Sequence, residues 1–183
     1  KRDDSTFARY WWNAPTGEPI GMPVKAHSQA AAAKFSRDGT RMLSYGLDQV
    51  LRLWDAQSGE PIGAPSKPQP QMAAVALSTD GRRAAVAYAD RTLRVLETAN
   101  WTVLSGPLRG HQDVPMAIDL SPDGTRILTA GWDKTAKVWD AVSGQLIASL
   151  AHEDGVWHAA FSPDGARILT ASADKTAKLW DAA

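Results

Sequence analysis

Residues 133–141 read DKTAKVWDA, and residues 174–182 read DKTAKLWDA. The Trp-Asp pair inside them, Trp139-Asp140 and Trp180-Asp181, also stands at Trp54-Asp55, while Trp12-Asn13 and Leu96-Glu97 fill the same slot. Successive steps from position 12 are 42, 42, 43 and 41 residues. A fixed period of this size marks one supersecondary unit stacked on itself. Such an array places function on a surface shared by several units, not in one pocket of catalytic groups. The near identity of the last two segments points to a recent duplication.

Other markers keep the same period. Phe/Leu-Ser-x-Asp-Gly occurs at residues 35–39, 77–81, 120–124 and 161–165. Asp-Gly between two apolar runs predicts a hairpin, because Gly accepts the positive φ that the turn requires. An Asp stands six residues before each slot, at Asp48, Asp90, Asp133 and Asp174, and a His precedes three units, at His27, His111 and His152.

Each unit divides into four short strands. In one copy these fall at about 114–120, 125–130, 135–139 and 145–150, rich in Val, Ile, Leu and Thr and bounded by turn residues. No stretch carries a sustained helical period. First strands are small-sided (Ala30 to Ala33, Ala73-Ala74, Ala159-Ala160), which suits a crowded axis. Fourth strands carry Pro19 and Pro23, Pro61 and Pro65, and Pro107. Proline donates no ladder hydrogen bond and belongs at an edge. Small inside and proline-tolerant outside is the radial order of a propeller blade.

On these markers the chain resembles the WD40 repeat family of β-propellers, and the style of its repeats looks like the bacterial branch. The resemblance covers nearly all 183 residues. It implies an all-β fold of four-stranded antiparallel blades around a channel, with about four repeats here. The chain (1–183) then divides into a partial blade 1–24 holding third and fourth strands, a blade 25–65, a degenerate blade 66–106, a blade 107–150, and a blade 151–183 lacking its outer strand. Residues 18–22 are one candidate for that missing strand, closing a ring of four. Relatives close with about seven blades, so a longer array or self-association into a larger ring is the favoured expectation.

Composition narrows the partners. The chain carries 20 basic and 20 acidic residues. That balance argues against nucleic acid, which calls for an electrostatic excess. No apolar run is long enough to cross a bilayer, so no membrane role is expected. With no cysteine, disulfides and thiolate metal sites are excluded; this fits the cytoplasm, our expected location. Residue 1 is Lys, not Met, so a targeting segment cannot be judged from the sequence.

His152, Ser172, Asp174 and Trp180 resemble a hydrolytic triad with a neighbour. The family resemblance implies instead a buried hydrogen-bonded tetrad inside the blade, echoed by His111, Asp133 and Trp139 and by His27, Asp48 and Trp54. An active site would not recur in every blade. With Gly131 and Gly46 in the Ser slot, only the last blade is expected to hold all four members. The repeat histidines lie in different blades and His158 stands alone, so no metal is expected. No phosphate loop is present, and no cofactor is expected.

Trp11, Trp101, Trp132 and Trp157 lie outside the repeat slot. By the same resemblance, the residue before each turn Asp and the residues opening each first strand face the top of the ring. Those positions hold Trp157, Met116, Val114, Trp132 and Leu47, with small residues elsewhere. Clustered Trp and Met are the chemistry of a protein-binding hot spot. The expected function is therefore a non-catalytic scaffold that holds a protein or peptide on this face. The alternative is a sensory or regulatory repeat region of a larger multidomain bacterial protein, linked to a kinase or NTPase.

Overall fold

The computed structural model describes residues 9–12, 15–16, 19–24, 27 and 30–182. Asn13 and Ala26 of the repeat markers lie outside the described residues, as do the side chains of Trp11, Trp12 and Ala31. Strands β1 (Arg9–Trp12) and β2 (Pro19–Val24) pair with each other in a two-stranded sheet. Next come β3 (Ala30–Phe35), β4 (Arg41–Gly46) and β5 (Leu51–Asp55), then β6 (Met72–Leu77), β7 (Arg83–Tyr88), β8 (Leu93–Glu97) and β9 (Val103–Leu108). The last two sheets hold β10 (Pro115–Leu120), β11 (Arg126–Gly131), β12 (Thr135–Asp140) and β13 (Leu146–Ala151), and β14 (Val156–Phe161), β15 (Arg167–Ser172) and β16 (Ala177–Asp181). Each sheet is an antiparallel meander in chain order. No helix occurs among the described residues.

Two sheets have four strands, the last has three as its sequence leads one to expect, and the β3–β5 sheet has lost its fourth. In the β3–β5 sheet the proline-rich outer segment is reduced to one bridge, Trp54 to Pro61, and a few backbone bonds such as Ile62 N–H to Leu53 O at 2.8 Å. Pro61 and Pro65 have no N–H to extend the ladder. The last sheet stops at its third strand, and β2 pairs with β1 rather than with β16. Strand β2 therefore does not close the last blade.

Hairpins follow the Asp-Gly signal. Gly39, Gly81, Gly124 and Gly165 have φ of 72°, 66°, 70° and 73°. In each turn the Ser hydroxyl bonds the Asp carboxylate, as Ser36 Oγ does to Asp38 at 2.6 Å. The innermost strand of every blade also breaks register once, between Ala30 and Ala32, Met72 and Ala74, Pro115 and Ala117, and Val156 and His158. One residue per blade is thus left out of the ladder: Ala31, Ala73, Met116 and Trp157. A bulge re-aims the residue that it leaves unpaired.

The core lies between blades, not within them. Leu43, Leu51 and Leu53 pack on Met72, Val75 and Leu96 of the next sheet. Ala85, Leu93 and Val95 pack on Ile127 and Trp139, and Leu128, Ala136 and Val138 on Phe161, Ile168 and Trp180. The Trp139 face of the β10–β13 sheet covers the β6–β9 sheet, and the Trp180 face of the last sheet covers the β10–β13 sheet. The cross-strand pairs Leu43–Leu53, Ala85–Val95 and Leu128–Val138 are thereby buried. The equivalent pair in the last blade, Leu169–Leu179, is 49% and 61% exposed.

Candidate functional site

The polar network within each blade is built differently from its sequence reading. His111 Nδ1 lies 2.8 Å from Asp133 Oδ2, His111 Nε2 lies 2.6 Å from Thr129 Oγ1, and Trp139 Nε1 donates to the same Oγ1 at 2.9 Å. The last blade repeats this with His152, Asp174, Thr170 and Trp180, and the β3–β5 blade with His27, Asp48, Ser44 and Trp54. Ser172 is therefore not the hydroxyl of the tetrad. Its Oγ donates to the Asp154 and Gly155 carbonyls and accepts from the Asp174 amide. The tetrad hydroxyl sits two residues earlier, so that Gly131 and Gly46 cost nothing and three blades are complete. In an extended strand, residues two apart share a face, so parity alone did not separate the candidates. Cross-strand pairing does: Thr129 is one step from Ile127, which sits opposite Trp139.

Burial pushes the His111 imidazole pKa down against the pull of Asp133, which favours the neutral ring. A neutral ring has one donor and one acceptor. With Nδ1–H donating to Asp133, the Thr129 hydroxyl donates to Nε2 and accepts from the Trp139 indole. Every polar atom of this buried chain has a partner, which makes it a brace rather than a nucleophile. Burial acts to raise the Asp133 pKa, but bonds from the Thr135 hydroxyl and Gln112 amide outweigh it and the pKa falls. The degenerate blade replaces the set coherently: Val86 stands at the hydroxyl position and Leu96 at the Trp position. Loss of both partners together leaves no orphan. Trp101, expected to cover this blade, packs against its core cluster and donates Nε1–H to Ala64 O at 2.9 Å.

The rim residues fall into two groups. Trp132, in the β11–β12 turn, meets Trp157 edge to face, with ring centroids 4.1 Å apart and planes at 70°. Trp132 also lies over Gly155, where an added Cβ would sit 2.6 Å from its ring. The pair stays 41% and 48% exposed. Met116 is exposed as well and lines one cavity with Trp157. Val114 is half-buried, and its carbonyl lies against Gly131. Leu47 is exposed in the β4–β5 turn and does not line that cavity. Lys34 and Asp119, read from the sequence as the polar exceptions on the innermost strands, line the axial cavities, and the sequence reading missed His158 as a member of that wall. Among the described residues no group of three metal-ligating side chains is gathered, and no helix is long and apolar enough to cross a membrane.

Successive antiparallel sheets, packed face to face with their first strands around a common axis, define a β-propeller repeat protein. The WD40 family, described as WD domain, G-beta repeat, matches residues 17–55, 102–140 and 144–181, and the chain belongs to it. The serine-threonine kinase receptor-associated protein of Homo sapiens is 42% identical over 57 residues, 31% of this chain and 15% of that protein. Ribosome assembly protein 4 of Chaetomium thermophilum is 48% identical over 40 residues, 22% of this chain and 8% of that protein. Protein groucho of Drosophila melanogaster is 42% identical over 43 residues, 24% and 6% of the two chains. The matched segments thus span 15% or less of these curated relatives.

Proposed function

We propose that this chain is a non-catalytic scaffold that binds a protein or peptide on the rim carrying Trp132, Trp157 and Met116. The observation that carries this reading is the aromatic pair itself. Two indoles in edge contact, seated on Gly155, are held rigid yet remain near half exposed. Rigid, amphipathic area lost to water at little entropic cost is what a binding hot spot provides. Val114 and Leu47 are peripheral in this reading. The WD40 relatives include a receptor-associated and an assembly protein by name, which agrees with a binding role. Those relatives are animal and fungal and lend no support to the bacterial, kinase- or NTPase-linked alternative. Charge balance leaves nucleic acid without an electrostatic footprint.

The exposed Leu169–Leu179 face has a second role in this reading, as the seat of a further blade, supplied by a longer array or by another copy of the chain. In the other three blades the same pair is buried by a neighbouring blade's face. We place the chain in the cytoplasm on its lack of cysteine. Affinity capture with the immobilised chain tests the rim. The proteins retained by wild type are expected to be lost with Trp132→Ala/Trp157→Ala. Equal retention by the folded double variant would remove the rim as the contact site.

A further inference from the structure

The innermost strands place equivalent positions in rings around the axis. Their cross-strand partners align Ala32, Ala74, Ala117 and His158 at one level, and Lys34, Ala76, Asp119 and Ala160 at a deeper one. Two adjoining cavities of about 210 Å³ each follow these rings, and Lys34, Ile118, His158 and Ala159 line both. The upper cavity also touches Met116 and Trp157 of the rim, so rim and axis are continuous.

Four ionisable side chains line this otherwise small and apolar space, and one of them, Tyr45, donates its hydroxyl to the Ala73 carbonyl at 3.3 Å. Asp119 is turned into the wall: Oδ2 accepts the Phe161 amide at 2.8 Å and Oδ1 the Leu120 amide at 2.9 Å. Lys34 and His158 are exposed to the cavity, and neither forms a side-chain hydrogen bond or ion pair among the described residues. An ammonium and an imidazole therefore stand free beside an apolar rim, while the one carboxylate is already engaged by backbone donors.

We infer that the axial cavity takes a carboxylate of the bound peptide, held by Lys34 with His158 beside it, while an adjacent apolar residue of that peptide sits on Trp157 and Met116. A charge-assisted bond from an ammonium to a carboxylate is roughly twice as strong as a neutral one. The ligand class is thus a peptide pairing an apolar side chain with an Asp, a Glu or a terminal carboxylate within one or two residues. This rests on the rim reading proposed above and adds the chemistry of its partner.

The test is selection of random heptapeptides displayed on phage against the full chain, followed by calorimetric titration of the most enriched synthetic peptide. Acidic residues are expected next to apolar ones. Replacing the peptide's acidic residue by its amide should weaken binding to wild type by about tenfold. The same replacement should have no effect on Lys34→Ala, and His158→Ala should lie between, which isolates the pairwise contact. Peptides that depend on Trp132 and Trp157 but carry basic or no charged residues would overturn the inference and leave the rim reading standing. So would an acidic preference that survives in Lys34→Ala. Enrichment that ignores Trp132→Ala/Trp157→Ala, or no enrichment, would overturn both. Thermal melts check that the variants are folded.

Discussion

At the scale of single residues, the tetrad turns on one hydroxyl. Thr129 Oγ1 joins the His111 imidazole to the Trp139 indole, and Thr129 is fully buried. Thr129→Val keeps the shape and removes both bonds, leaving two buried groups unsatisfied. The expected loss is about 1–3 kcal/mol in denaturant unfolding; a loss within experimental error would show that the network braces nothing. Protonation acts on the same parts. The Asp123 carboxyl is held down at about 2, chiefly by the Ser121 hydroxyl and then by the Thr125 amide. A carboxyl lowered in the fold stabilises above its unfolded pKa of about 3.9, and the gain disappears as pH falls to about 2. His111, lowered by burial, adds stability that is present above about pH 6.5 and declines below it. Stability should therefore fall on acidification from pH 7, and Ser121→Ala should bring the Asp123 titration seen by NMR back toward the ordinary range. An unmoved titration would remove Ser121 as its cause. The sequence marked His, Asp and Trp of each network by period alone. It misplaced the hydroxyl at Ser172, because Thr170 and Ser172 lie on the same side of one strand and only pairing separates them.

At the scale of elements, strands were legible because alternation and turn residues are local. The expected 114–120 and 145–150 became Pro115–Leu120 and Leu146–Ala151. The register break in each first strand was not legible, since Ala-rich runs carry no pattern that a bulge would interrupt. Yet the bulge is what lifts Met116 and Trp157 onto the rim. The outer edge of the β3–β5 sheet was overestimated because prolines mark an edge without saying how much ladder they remove. Turns hold a second hidden feature. The residue after each turn Asp, namely Gln49, Arg91, Lys134 and Lys175, has φ between 56° and 71°. A side chain in that region costs about 1–2 kcal/mol. Lys175→Gly should relieve it and, after the entropy cost of glycine, stabilise the last hairpin by up to about 1 kcal/mol. A clear fall in melting temperature would mean that the Lys175 stem contributes more than its backbone costs.

At the scale of the molecule, the period of about 42 residues gave the radial stack, because a unit with two apolar faces is stable only between neighbours. Lys34 and Asp119 were legible as polar residues of the innermost strands, but His158 was not, since it lies in a different repeat from Lys34 and only the ring brings the two together. By the same stacking logic we propose that Leu169 and Leu179 seat a further blade, from a longer array or from a second copy. Light scattering should give a mass above that of one chain, and Leu169→Glu/Leu179→Glu should return it to one chain; a single-chain mass for wild type would show that the face stays uncovered. The account as a whole stands on the rim as the place of contact. Calorimetric titration of one selected peptide into wild type and into Trp132→Ala/Trp157→Ala measures this most directly. A fall in affinity of at least about thirtyfold, with the unfolding midpoint little changed, is the predicted result. Equal affinity in the folded double variant would contradict it.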